Sequence, residues 1–103
     1  MRQVYRLIAA DNADVLAGTD LDPIPATATR AIIYAASTQA DTILTVQTPE
    51  MPVARAILLP LRANAELRMD EDGGMIVPVM GGKLIISVDI VTGASVAVLV
   101  QTD

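Results

Sequence analysis

Hydrophobic and polar residues alternate most regularly in the last third of the chain. In residues 83–90 (KLIISVDI) every second side chain from Leu84 to Ile90 is aliphatic, and in residues 95–102 (SVAVLVQT) three valines recur at the same spacing. A period of two places these side chains on one face of an extended strand. The short glycine-containing stretch between the two runs predicts that they form a hairpin.

Similar patterns predict further strands upstream. Residues 30–36 (RAIIYAA), 42–48 (TILTVQT) and 75–80 (MIVPVM) are rich in aliphatic residues, and the proline at 78 predicts an edge strand or bulge. Residues 3–9 also fit a helical spacing, but we favour a strand there, followed by a short strand near Val15. Turn residues separate these runs. The pattern predicts one domain over residues 1–103, an all-β, jelly-roll-like antiparallel β-sandwich of about eight strands, with residues 1–20 as an extended N-terminal arm or strand.

Residues 54–61 (ARAILLPL) differ because both faces of the predicted strand are apolar. Ile57, Leu59 and Leu61 fall on one face, opposite Ala56 and Leu58. One such face can pack in the core, and the other then needs a covering chain. The composition agrees, since 52% of the residues are hydrophobic and only 2% are aromatic. We therefore predict self-association through Ile57, Leu59 and Leu61.

Composition also argues against several classes of function. The chain has no cysteine and no histidine, which removes thiolate nucleophiles, Ser-His pairs and the commonest zinc ligands. Its net charge is −5, its seven basic residues are scattered and it has two tyrosines, so nucleic acid is not expected as a partner. No apolar run is long enough for a membrane span or a signal peptide, which predicts synthesis in the cytoplasm and no membrane partner. No catalytic residue, cofactor or metal ion is predicted, and the chain is not expected to be an enzyme.

Two acidic segments each admit a binding role and a simpler one. Four aspartates between residues 11 and 22 supply the oxygen ligands that calcium prefers, but their spacing does not match an EF-hand loop, and turn chemistry explains them. Asp70, Glu71 and Asp72 precede two glycines. They form either a solvated turn or an acidic tip that docks on a basic surface of a partner.

Several features occur along the chain in a set order. These are the opening run VYRLIAA (4–10) with its Asn/Asp turn, then TILTV (42–46), then AILLPL (56–61), then the acidic turn at 70–72 and a Gly-Gly turn. In this order they resemble the small β-sandwich structural proteins of tailed bacteriophages, in particular the head decoration or capsid cement proteins.

The resemblance implies a structural virion protein that binds the outside of a phage capsid and stabilises the shell by clamping neighbouring capsid subunits. It implies two partners, the major capsid protein and further copies of this chain, with a trimer favoured over a dimer. In such proteins the opening strand often augments a neighbour's sheet, which here implies partner or self contacts for Gln3, Val4, Tyr5 and Leu7. The alternative is a receptor- or glycan-binding module of a phage fibre or appendage.

Overall fold

The fold is built almost entirely of β-strands. The computed structural model describes residues 2–39, 42–49, 54–67, 74–79, 83–90 and 93–103. Within these ranges the strands are β1 (Arg2–Ile8), β2 (Arg30–Ser37), β3 (Ile43–Gln47), β4 (Arg55–Leu58), β5 (Met75–Pro78), β6 (Ile85–Asp89) and β7 (Val96–Thr102). One 3₁₀ turn spans Ala63–Ala65. The opening segment is therefore a strand, as the sequence predicts.

The strands form two antiparallel sheets with the core between them. One sheet has four strands in the order β1-β7-β2-β5, and the other has three in the order β4-β3-β6. The alternating side chains meet in the space between the sheets, where Val96, Val98 and Val100 of β7 and Leu44 and Val46 of β3 are at most 1% exposed. This confirms the predicted all-β sandwich.

The strand order is that of a jelly roll in which one strand is reduced to a short bridge. Asn12 and Val88 exchange two backbone hydrogen bonds of 3.0 and 2.8 Å, and the Val15 N–H donates to the Ile86 carbonyl at 2.8 Å. Counting residues 12–15 as the second strand turns the two sheet orders into 1-8-3-6 and 2-7-4-5. These are the orders of an eight-stranded jelly roll. Successive strands then change sheet at every connection except the one between β3 and β4.

The predicted hairpin between residues 83–90 and 95–102 is wrong. β6 pairs with β3, whereas β7 pairs with β1 and β2, so these consecutive strands lie in opposite sheets. Periodicity gives the buried face of each strand correctly, since every second residue from Leu84 to Val88 and from Val96 to Val100 is buried. It does not give the partner. Two strands with one apolar face each can meet across a sandwich as readily as side by side.

The segment between β1 and β2 closes one side of the core. Val15, Leu16, Leu21 and Ile24 are buried although they lie outside regular strands, and the short strand predicted near Val15 is a run of turns. Local hydrogen bonds hold these turns. The Thr19 hydroxyl, for example, donates to the Leu16 carbonyl at 2.6 Å. Side chain-to-backbone bonds of this kind favour turns over strand pairing.

Residues 54–61 do not form the single two-faced strand that the sequence predicts. β4 ends at Leu58, and the chain then crosses to the four-stranded sheet, where the Ser37 N–H donates to the Pro60 carbonyl at 3.0 Å. Proline has no N–H to continue the ladder with β3. Leu59 lies on the same side of the chain as Ile57, and its N–H still donates to the Thr42 carbonyl at 2.9 Å, so its side chain faces the core at 6% exposed and is not available to a partner. The expectation that Leu59 contributes to a partner surface is corrected accordingly.

Candidate interaction surface

The outward side of the four-stranded sheet carries an apolar surface, which we call the outer sheet face. Strand register arranges its side chains in three rows across the sheet. The rows are Gln3, Gln101, Ile32 and Ile76; Tyr5, Leu99 and Tyr34 with Gly74 beside it; and Leu7, Ala97 and Ala36. The two alanines of the third row are fully buried, so only Leu7 of that row is accessible. None of the residues in these rows is charged, although Arg30 and Asp103 follow on the same side at one end of the sheet.

Large side chains supply the accessible area of the outer sheet face. Tyr5 and Leu7 are each 58% exposed and Ile76 is 56% exposed, with half-buried Tyr34 and Leu99 between them. Four strands about 4.8 Å apart and the two accessible rows about 6.8 Å apart cover roughly 250 Å². This is slightly below the roughly 300–600 Å² of the largest apolar patch on a typical monomer, and such patches often mark interaction sites.

The outward side of the three-stranded sheet is different in character. Its central row is Ala56, Thr45 and Ser87, and Asp89 follows beside Ile43. Ile43 and Leu58 are neighbours on this side, at 47% and 64% exposed, and Ile85 is exposed at its other end, so polar residues separate the apolar ones. The outer sheet face is the stronger candidate for contact with a partner because its apolar side chains lie side by side across the sheet.

Close packing keeps the outer sheet face flat at β5. A Cβ placed on Gly74 would overlap Cγ2 of Ile32 and lie 3.0 Å from the ring of Tyr34. Glycine therefore lets both side chains lie against the backbone of the neighbouring strand. The β-branched Ile32 has little freedom to move aside, so the arrangement of this row depends on the absence of a side chain at residue 74.

Several charged residues anchor the loops beside the sheets. Arg6 faces the core side of β1, and its guanidinium donates to the Val15 carbonyl at 2.7 Å. The Lys83 ammonium lies 2.8 Å from Asp14 and 3.2 Å from Asp22. Two hydrogen bonds raise the pKa of Lys83, and the one to Asp14 has a larger effect than the one to Asp22. The hydrogen bond from Lys83, followed by one from the Gly18 N–H, lowers the pKa of Asp22. These carboxylates are thus engaged in tying the β1–β2 segment to the start of β6.

A second carboxylate contact closes the end of the four-stranded sheet. The Asp103 side chain accepts from the hydroxyl and the N–H of Thr29, at 2.5 and 2.8 Å, and from the N–H of Arg30 at 3.2 Å. These hydrogen bonds lower the pKa of Asp103 to about 2. The bond from the Thr29 hydroxyl has the largest effect, and the two backbone N–H donors follow. This contact joins β7 to the residues that open β2.

The residues predicted to form interfaces fall in different places. Gln3, Tyr5 and Leu7 share the outer sheet face, whereas Val4 lies on the opposite side of β1 and packs against the core. Ile57 also packs against the core, and Leu61 is exposed beyond the end of β4. Asp70, Glu71 and Asp72 lie outside the described residues. The structure thus brings together three of the predicted residues, all of them on β1.

Sequence reasoning missed the centre of the outer sheet face. Ile32 and Tyr34 on β2 and Leu99 on β7 have apolar residues on the opposite, core-facing side of the same strands. A strand with two apolar faces needs a second cover, and residues 30–36 and 96–100 have two such faces in the sequence, as residues 54–61 do.

Fold and surface together define the class: a jelly-roll β-sandwich with an uncharged apolar face on its larger sheet. Comparison of the chain with protein-family models, with curated proteins and with solved structures finds no match. In the part of the chain that the structure describes, no group of three or more acidic residues is placed to hold a metal ion. No helix among the described residues is long and apolar enough to span a membrane.

Proposed function

We propose that this chain is a structural virion protein that binds the outside of a tailed-phage capsid and stabilises the shell by clamping neighbouring capsid subunits, without catalytic activity. The observation that carries the proposal is the outer sheet face, a set of neighbouring uncharged side chains on the strands of a sheet in an acidic chain. An apolar sheet face fits another folded protein surface better than it fits a small molecule, which binds in a concave pocket.

The size of the outer sheet face supports binding by several copies acting together. Its roughly 250 Å² is about a third of the roughly 800 Å² per partner that a standard stable interface buries. One copy would therefore bind a capsid subunit weakly. Copies joined to each other would bind with a much higher combined affinity, because each contact raises the effective concentration of the next. A shell with many identical subunits offers the repeated sites that such binding needs.

Co-sedimentation with expanded, decoration-free heads of the phage that encodes the chain tests this proposal. We expect the protein to sediment with the heads, and Ile76→Glu, on the outer sheet face, to reduce bound protein at least ten-fold. Leu58→Glu is the matched control. It adds the same charge at an equally exposed position, 64% against 56%, but on the other sheet. No co-sedimentation, or equal loss for both variants, would contradict the proposal.

A receptor- or glycan-binding module of a phage fibre or appendage is the second candidate, because both tyrosines lie on the outer sheet face. Tyr5 and Tyr34 occupy the same row with Leu99 between them. Aromatic rings on a protein surface supply large amphipathic contact area for ligands. Specific signals on a glycan array that disappear in Tyr34→Ala, together with no binding to heads, would favour this candidate.

A further inference from the structure

The four edges of the two sheets are not equally protected. The outer side of β6 is covered by residues 12–15, while β4 and β5 are only four residues long, and β5 ends in Pro78. Short strands and prolines are common means of preventing pairing at an edge. β1 has neither feature. It is seven residues long, contains no proline and pairs with β7 along its whole length.

Backbone geometry identifies which groups lie on the open edge of β1. The Asp103 N–H donates to the Arg30 carbonyl, so the odd-numbered residues of β7 bond to β2 and the even-numbered ones bond to β1. Antiparallel ladders alternate in this way along each strand. The N–H and C=O groups of Gln3, Tyr5 and Leu7 therefore face away from β7. Among the described residues, no loop forms a backbone hydrogen bond with any of them.

We propose that β1 pairs antiparallel with β1 of a second copy, about a two-fold axis through Tyr5, to form one continuous eight-stranded sheet. In this register Tyr5 faces the partner's Tyr5, and Gln3 faces the partner's Leu7. All six open-edge N–H and C=O groups of each strand are then bonded. A shift of two residues in one direction places Arg6 opposite the partner's Arg2, and a shift in the other direction places it opposite the partner's Arg6. Like charges directly opposite each other destabilise a sheet.

The occupant is a second copy because the open edge complements itself. Two copies always supply the same edge to each other, and their central register bonds every open backbone group while keeping their arginines from facing each other. A charged residue on the core side of an edge strand ordinarily discourages pairing. The guanidinium of Arg6 instead donates to the Val15 carbonyl of its own chain. Pairing also joins two outer sheet faces into one of roughly 500 Å², which is closer to the roughly 800 Å² per partner of a standard interface. The edge therefore favours a dimer over the trimer that the resemblance implies.

Disulfide trapping tests this register directly, because the chain contains no cysteine. Facing residues at Tyr5 would have Cα atoms about 5.5 Å apart, within the range of roughly 4.4–6.8 Å that a disulfide spans. Oxidation of Tyr5→Cys should link most of the chains in pairs. Leu7→Cys is the matched control, equally exposed at 58%, whose partner position lies about 14 Å away. A mixture of Gln3→Cys and Leu7→Cys should form the mixed disulfide.

A proline substitution tests the hydrogen bonds. Gln3→Pro removes an N–H that faces the open edge, so the bonds between β1 and β7 remain, whereas the dimer loses two hydrogen bonds and should dissociate about 30-fold more readily. Gln3→Ala removes the same side chain, with its hydrogen bond from Gln101, and keeps the N–H, so it should remain dimeric. Analytical ultracentrifugation reads the mass against 10.8 kDa per chain, and circular dichroism checks the fold.

The outcomes separate this proposal from the capsid proposal. A wild-type monomer or trimer, a dimer unaffected by Gln3→Pro, or Leu7→Cys linking as well as Tyr5→Cys would each overturn the β1 pairing. If Gln3→Pro fails to fold, the crosslinking pattern still decides. A dimer that fails to bind heads contradicts only the proposed function, since the pairing is measured on the isolated protein.

Discussion

The contact between Arg6 and Val15 should account for a measurable part of the stability of the sandwich. The Arg6 guanidinium donates to the Val15 carbonyl at 2.7 Å from a partly buried position. A hydrogen bond with a charged donor contributes about 1.5–3 kcal/mol. Arg6→Met keeps most of the aliphatic stem and removes the guanidinium. We expect the free energy of unfolding to fall by about 2 kcal/mol, which lowers the urea midpoint by about 1.3 M for an m-value of about 1.5 kcal/mol/M.

Urea unfolding at one fixed protein concentration measures this effect, because self-association would make the midpoint depend on concentration. Arg2→Met is the matched control: it removes the same charge from the same strand, at an exposed residue. It should lower the free energy of unfolding by less than about 0.5 kcal/mol. Hydrogen exchange of the Val15 amide, which bonds to Ile86, should accelerate only in Arg6→Met. Equal midpoints for the two variants would refute the inference that this arginine ties the β1–β2 segment to the sheet.

Three further substitutions test other parts of the structure. Leu16→Ala opens a cavity under the β1–β2 segment and should cost about 3 kcal/mol, measured as a fall of roughly 10–20 °C in thermal midpoint, while Leu58→Ala on the exposed margin should cost little. Gly74→Ala forces the neighbouring row of the outer sheet face to shift and should cost about 1–3 kcal/mol by urea unfolding; an unchanged midpoint would show that the row adapts freely. Thr29→Val removes the main donor to Asp103, so NMR titration of that carboxyl should show its pKa rise from about 2 towards 3.8. Because the folded pKa is depressed, this contact stabilises the fold above pH 4 and is lost as the pH falls from about 4 to about 2; unchanged titration would contradict the assignment.

Much of the fold could be predicted because burial on one face leaves a period-two signal in each strand. That signal identified the run ending at Val100 and the opening strand, and Pro78 identified an edge. It could not identify which strands pair, because the alternation within one strand does not depend on which strand lies beside it. It also missed the role of Leu16 and Leu21, whose turns lie between strands and carry no periodicity.

The candidate site was predicted only in part, for a related reason. Tyr5 and Leu7 were selected through a resemblance and lie on the outer sheet face. Leu59 was selected for a partner surface through its alternation with Ile57. That alternation holds, because the Leu59 N–H still bonds to the Thr42 carbonyl and both side chains face the core. A period-two pattern therefore predicts which residues share a face, but not which of two apolar faces the core covers.

The jelly-roll order and the open edge of β1 have a common origin in the segment that replaces the second strand. A full strand there would pair along β6 and direct every second side chain into the core. Here only residues 12–15 bridge to β6, and the residues that follow turn inward to fill the sandwich. The Val15 carbonyl in this segment receives the guanidinium of Arg6. The positive charge of Arg6 would otherwise discourage pairing at β1, but this contact holds it within its own chain. The same contact therefore stabilises the monomer and leaves the edge of β1 free to pair.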